Sequence, residues 1–309
     1  MQTIGAITID DTYYPGEDLY SDGEIENEML EIAKSFKPSE YNRVITERKS
    51  WTILYHFSNV RENIITAMPI AKEDRVLEIG AGCGAITGAL AKMAKSVDAV
   101  ELSMKRSLIN AYRHRDCDNV TIKVGNFQMV EKHLEGQYDV ITLIGVFEYA
   151  CSYINGEHPY EEFLRIIKKH LTPSGRLIIA IENKLGLKYW AGCREDHTGN
   201  FFEGIEGYED KNCRVRTFSK KELDDMLKSE GFELVDFYYP YPDYKLPEKI
   251  FSDEYLPKID ELSTNYRNFD WNRMEFFDEK KVFNSLLTAG LFPEFSNSFL
   301  IVAKGEEND

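Results

Sequence analysis

The sequence predicts an α/β fold of the doubly wound kind, with a mostly parallel sheet, and three features carry that prediction. Short apolar runs, RVLEIG, VDAVEL, NVTIKVG, YDVITLIGV and RLIIAIE, recur between Arg75 and Glu182. They have the near-continuous apolar character of strands covered on both faces. Between them lie GAITGALAKMA, SMKRSLINAYRH and EEFLRIIKKHL, whose apolar residues return at three- and four-residue steps, as in helices that wrap such a sheet.

Taken in order, the chain up to about residue 72 reads as helical, because EMLEIAKSF and WTILYHFSNVRENIITAM carry the helical spacing; this part is expected to cap the domain that follows. Residues 73–239 form the expected core. Within it, Ser219 and Glu222 make a capping box for the helix KKELDDMLKSE, which stops at Gly231 before the strand FELVDFYY. Residues 240–290 break the rhythm with four prolines and many acidic and aromatic side chains, so they read as an insertion ending in a helix around EKKVFNSLLTA. Residues 291–309 then supply the final strand, SFLIVAK, and an acidic tail.

At 309 residues, of which 43% are apolar, the chain can bury a full core without staples. Its five cysteines, Cys83, Cys117, Cys151, Cys193 and Cys213, contain no CxxC pair, so buried free thiols are expected and no metal site is. No apolar run approaches the ~18 residues needed to cross a bilayer, and MQTIGAITIDDTYY lacks the basic and apolar regions of a leader. A cytoplasmic protein is the expectation. The net charge of -16 makes a phosphate backbone an unfavourable main partner. Residues 1–31 hold nine carboxylates and no lysine or arginine, which reads as a solvated acidic arm.

The feature richest in chemistry is VLEIGAGCG, a strand leading into Gly80, Ala81, Gly82 and Gly84 just before a helix. Glycines allow a sharp turn and close approach of backbone to ligand, and the helix start offers free N–H groups. The turn alone fits a dinucleotide as well as S-adenosylmethionine, since Gly80, Gly82 and Ala85 satisfy GxGxxA. Glu78 favours the second, because a carboxylate two residues before the first glycine can meet an ammonium group. Glu101, closing the next strand seventeen residues past Gly84, suits the ribose hydroxyls of either.

The ordered set VLEIGAGCG, VELS, VGNF, YDVITLIGVFEYA and LTPSGRL resembles the motifs of class I S-adenosylmethionine-dependent methyltransferases, and TFSKKELDDMLKSEGF resembles their approach to the sixth strand. The resemblance implies a Rossmann-like sheet of seven strands, the last antiparallel. It implies that Glu78, Gly80, Gly82 and Gly84 surround the methionine portion of the cofactor, with Ala81 and Gly145 among the further cofactor contacts. Glu101 would hold the ribose, Leu102 would pack on the adenine, and Asn126 and Phe127 would flank the base. Family members usually carry an acid at the position of Asn126, so an amide carbonyl would meet the adenine amino group here. Arg48, Tyr55 and Arg61 lie in the expected cap, where surface charge and packing explain them equally well.

Methyl transfer from a sulfonium is an in-line displacement that depends chiefly on positioning. A base is needed only for hydroxyl or amine acceptors, and its candidates stand in the polar loops after the fourth and fifth strands: Glu148, Tyr149, His158, Glu182, Asn183, Asp196 and His197. Asp196 and His197 suit an oriented base, and ordinary surface placement suits them equally. For His158, ahead of Pro159, a loop or capping role is the stronger reading. Tyr149, Asn183 and Tyr241 are the candidate acceptor contacts. Aromatics crowd Phe237 to Lys245 and Asn265 to Phe277, a mixture that fits a sugar face or the packing of an irregular insertion.

Further segments, among them NKLGLKYWAGCREDHTG, FFEGIEGY, YYPYPDYKLP and GLFPEFSNSFL, are similar to a bacterial methyltransferase group encoded with, or fused to, glycosyltransferases of surface-polysaccharide assembly. That resemblance implies a carbohydrate or other small glycan acceptor and a glycosyltransferase as partner, with a non-catalytic cofactor-binding subunit as the alternative. VLEIGAGCGAITGALA also resembles the RNA adenine dimethylating enzymes. Those carry an asparagine-proline-hydrophobic-aromatic run after the fourth strand, where this chain reads GVFEYA.

Overall fold

The computed structural model describes residues 1–18, 20–209, 215–263 and 273–305. Cys213 and residues 265–272 of the second aromatic stretch lie outside them. The chain divides into two compact units: residues 1–144 with 166–177, and residues 145–165 with 178–309.

The first unit is built on β1 (Gln2–Ile4), β2 (Ile7–Tyr13), β3 (Arg75–Ile79), β4 (Ser96–Glu101), β5 (Val120–Gly125) and β6 (Tyr138–Ile144), side by side in the order β1-β2-β5-β4-β3-β6. From β2 to β6 all neighbours run parallel. The crossovers β3 to β4 and β4 to β5 carry the helices Thr87–Met93 and Met104–Arg113, as the apolar spacing predicts. Ser103 caps the second of these by accepting the Arg106 backbone N–H.

Two strands stand where a solvated arm was expected. ITIDDTY alternates, sending Ile7 and Ile9 fully inward and Thr8 and Asp10 partly outward, so β2 adds to the edge of β5 by a period-two pattern that the carboxylates obscured. The hairpin to β1 turns at Gly5 (φ +60°), where a Cβ would strike the Arg115 carbonyl oxygen at 2.2 Å. The helical cap follows as expected, in Ile25–Ser35, Tyr41–Arg48 and Trp51–Phe57. Its core of Met29, Ile32, Ala33, Tyr41, Val44, Ile53 and Phe57 packs against Ile109 and Cys83, so the cap is seated on the glycine-rich turn. Arg113 joins them by donating to the carbonyls of His56 (2.6 Å) and Cys83 (2.9 Å).

β7 (Leu171–Glu182) passes from the first unit into the second. The second unit continues with β8 (Leu234–Tyr241), β9 (Lys249–Ser252) and β10 (Ser298–Lys304), in the order β7-β10-β8-β9. The last strand runs antiparallel to β8, as expected. Described strands thus number ten rather than seven, the additions being β1, β2 and the short β9 inside the expected insertion. The capping box of Ser219 and Glu222 forms over the helix Lys220–Ser229, and Asp278 caps the helix Glu279–Thr288.

Candidate active site

In the first unit the chain leaves β3 through the expected turn. The N–H groups of Gly80 and Ala81 both donate to the Val100 carbonyl (2.9 and 3.1 Å), which fastens the turn to β4. Gly80, Gly82 and Gly84 have φ of +73°, +53° and +75°, a region that only glycine adopts cheaply. Their surroundings differ. Gly80 is exposed and Gly82 half-buried, and a Cβ on Gly82 would meet nothing within 4 Å, so this stretch of backbone is open to a ligand. A Cβ on Gly84 would instead lie 2.2 Å from Asn110 Oδ1. Close packing of the helix Met104–Arg113 therefore requires that glycine.

Two buried carboxylates flank the turn. Glu78 accepts the Thr87 hydroxyl at 2.6 Å, and Thr87 in turn accepts from Asn110 Nδ2 at 3.0 Å. Burial pushes the Glu78 carboxyl up to about 8, only partly offset by Thr87, and the charge of Glu101 adds to the rise. Glu101 accepts the N–H of Gly82 at 2.7 Å and that of Ser103 at 2.9 Å. Burial raises its pKa too, against the pull of Arg106 and these N–H donors. Leu102 is half-buried beside it. At the end of β5, Phe127 is buried, and the Asn126 carbonyl that was expected at the base caps the next turn, accepting from the Gln128 N–H at 2.8 Å. Arg61 stacks on Tyr55 at 4.2 Å, and Arg48 pairs with Glu28 at the surface.

The second unit gathers the expected base candidates differently from the sequence order. Gly145 has φ +69°, and a Cβ there would meet the Tyr244 hydroxyl at 2.7 Å, so tight packing within this unit requires it. Glu148, Glu182 and His197, widely separated in sequence, come together in the interior, with one ligand atom of each within 4.8 Å of the others. His197 Nδ1 lies 3.0 Å from the Tyr149 hydroxyl, and Nε2 lies 3.6 Å from Glu182 Oε2. Glu182 Oε1 pairs with Lys245 at 2.7 Å. Both oxygens of fully buried Glu148 lack a hydrogen-bond partner.

Electrostatics follow from this arrangement. Burial and the neighbouring Glu182 push the Glu148 carboxyl up to about 8. Burial also works against the charge on Glu182, but Lys245 and His197 outweigh it and hold that carboxylate well below its ordinary range. His197, although buried, is raised to about 9 by Glu182, Glu195 and Glu148.

Asp196 does not orient His197. Its Oδ2 accepts from Tyr189 (2.5 Å) and pairs with Lys188 (2.7 Å), while Oδ1 pairs with Lys245 (2.9 Å), so adjacency in sequence put the two side chains into different partnerships. Asn183 is fully engaged as a brace: Nδ2 donates to the carbonyls of Glu294 and Ser296, and Oδ1 accepts from the Leu185 N–H. Tyr241 is buried against Phe283. Phe237, Tyr239 and Tyr244 are buried with it, so packing explains the aromatic run from Phe237 to Lys245. His158 is exposed, and its carbonyl accepts the Glu162 N–H at the start of the helix Pro159–His170. Sequence reasoning missed Lys188, Tyr189, Lys245, Thr87 and Asn110, although several stand inside the quoted segments; their roles exist only once distant segments meet.

Comparison with known proteins bears on the turn and its cofactor. The family described as a methyltransferase domain matches residues 54–236, more than half of the chain. A ribosomal RNA small subunit methyltransferase A from Malacoplasma penetrans is 26% identical over 39% of this chain and 42% of its own length. The chain thus spans less than half the length of the curated relatives it matches. A Haloferax volcanii complex of the Trm112 methyltransferase activator with a methyltransferase has 16% identity over 89% of this chain and 99% of that one, at a TM-score of 0.49. Haemonchus contortus phosphoethanolamine N-methyltransferase 1, solved with S-adenosylhomocysteine, has 14% identity over 94% of this chain and 52% of that one, also at 0.49. Among the described residues no helix is long and apolar enough to cross a membrane. The residues of the turn fit S-adenosylmethionine, with open backbone at Gly82, a buried acid at Glu78 and a carboxylate at the end of β4. Together with the family match, they show that the chain belongs to the class I S-adenosylmethionine-dependent methyltransferases.

Proposed function

We propose that this chain transfers the methyl group of S-adenosylmethionine to a small-molecule acceptor, a carbohydrate or glycan intermediate. The observation that carries the methyl-transfer reading is the open backbone at Gly80 and Gly82, flanked by the buried carboxylates of Glu78 and Glu101. When bound, the sulfonium supplies an electrophilic methyl group. Glu78 gives up its proton and meets the cofactor's ammonium, Glu101 receives the ribose hydroxyls, and Phe127 offers an apolar wall to the base. Leu102 packs beside it. The transfer is direct, so the protein's main contribution is to hold donor and acceptor in line. Glu148 and His197 are the remaining candidates for exchanging a proton with the acceptor, Glu148 because its carboxyl sits at about 8.

The acceptor class rests on the resemblance of the segments from Asn183 to Tyr208, Tyr238 to Pro247 and Gly290 to Leu300 to the glycosyltransferase-associated group, and a glycosyltransferase partner belongs to the same proposal. A net charge of -16 supports a small acceptor over a nucleic acid. An RNA adenine acceptor is the second reading, and the names of the curated relatives, which print ribosomal RNA, favour RNA as its class. Transfer of labelled methyl from S-adenosylmethionine, screened across sugars, nucleotide sugars, glycan fragments and ribosomal RNA, separates them. Label in a carbohydrate is the expected result; label in RNA alone would replace the first reading with the second.

A further inference from the structure

From the second unit we infer that Glu148, Glu182 and His197 form a binding site for one divalent first-row metal ion. The three side chains come from separate stretches of chain: the turn after β6, the last residue of β7 and the loop between Arg194 and Phe201. Their donor atoms lie within 4.8 Å of one another, and an ion held at about 2.0–2.2 Å from each would draw the wider pairs together to less than about 4.4 Å. Two carboxylates and an imidazole are a donor set that suits manganese, iron or zinc, with coordination positions left open for an oxygen ligand.

An acidic cluster alone would not suffice, but Glu148 adds an independent observation. Its carboxylate is fully buried, and neither oxygen has a hydrogen-bond partner. A buried, unsatisfied carboxyl is costly and calls for a counter-charge. His197 is also set as ligating histidines are, with one ring nitrogen held by the Tyr149 hydroxyl at 3.0 Å and the other turned toward Glu182. The loop that carries it is fixed, because Glu195 accepts the backbone N–H groups of His197 and Thr198 at 2.8 and 2.7 Å.

Charge balance points the same way. Among the described residues, the buried or half-buried carboxylates Glu148, Glu182, Glu195, Asp196 and Asp243 are accompanied by the lysines Lys188 and Lys245, which are shared among Glu182, Asp196 and Asp243. Negative charge is left in excess, which a bound cation would offset.

The test uses the full chain, stripped with a chelator and titrated with Mn2+ alone while the free-ion electron paramagnetic resonance signal is followed. One saturable equivalent is expected, with an echo spectrum showing the hyperfine coupling of one imidazole nitrogen. Glu148→Gln and His197→Gln should each weaken binding at least about tenfold, with the nitrogen coupling lost in the second. Asp225→Asn, at an exposed acid, should change nothing. S-adenosylmethionine binding, measured in parallel, checks the folding of each variant and keeps a failure here distinct from a failure of the methyl-transfer reading. If the unaltered chain takes up no Mn2+ saturably, shows no nitrogen coupling, or binds equally well in both variants, the site does not exist.

Discussion

The carboxylate of Glu101 accepts the backbone N–H of Gly82 at 2.7 Å, tying the end of β4 to the open part of the glycine turn nineteen residues earlier. The bond fixes the turn in the shape a ligand would meet, and it sets the carboxylate where ribose hydroxyls are expected. Glu101→Ala should therefore weaken S-adenosylmethionine binding by about 10–100-fold, the equivalent of one hydrogen bond to a charged group. Calorimetry reads this directly, and an unchanged dissociation constant would remove Glu101 from the site.

Glu78 gives the binding a pH dependence with a definite sign. In the free protein its carboxyl is raised to about 8, so at pH 6 it holds a proton that must leave before an ammonium group can be paired. Affinity should rise with pH towards about 8 and fall again as the cofactor's own ammonium loses its proton. The same shift makes the free protein bind more protons than the unfolded chain between about 4.5 and 8, so this group's contribution to stability falls as pH rises through that window. Glu78→Gln should flatten both profiles and weaken binding. Calorimetry in buffers of different ionisation enthalpy would reveal the proton released.

Arg106 is expected to matter for stability. It pairs with fully buried Glu26 at 2.8 Å and with Asp22 at 2.7 Å, holding the start of the first cap helix and the segment before it onto the helix Met104–Arg113. Removing one partner of a buried pair leaves an uncompensated charge, so Arg106→Met should cost about 3–5 kcal/mol in urea unfolding. Arg43→Ala, which breaks only exposed pairs with Glu40 and Glu47, should cost less than about 1 kcal/mol.

How much could be read from the sequence follows from which interactions are local. Gly82 was legible because a glycine between a buried strand and a helix has a conformational meaning of its own, and the capping box of Ser219 with Glu222 spans only four residues. The strand Ile7–Tyr13 was hidden because its alternation of Ile7 and Ile9 runs through carboxylates that read as a solvated arm. His197 illustrates the other limit. Its neighbour Asp196 was the obvious partner, yet the side chains diverge to Lys245 and Glu182, contacts that exist only through tertiary structure. Asn126, expected at the adenine, is used locally as a cap.

Asn183 separates bracing from substrate contact. Its side chain satisfies two carbonyls and one N–H within the second unit, so Asn183→Ala should lower stability by about 1–3 kcal/mol through buried groups left unpaired. Calorimetric binding of S-adenosylmethionine by the folded fraction should stay within twofold. A large fall in that affinity without loss of stability would restore Asn183 to the binding machinery.

The most direct measurement titrates the full chain and its Gly82→Val variant with S-adenosylmethionine, S-adenosylhomocysteine and NAD, with circular dichroism confirming that both are folded. A Cβ at this position enters open space on the turn and imposes a φ of +53° that valine resists. The unaltered chain should bind one equivalent of each adenosyl compound and no NAD, and the variant should bind neither. Binding of NAD alone, or a folded variant with an unchanged dissociation constant for S-adenosylmethionine, would contradict the assignment of this turn.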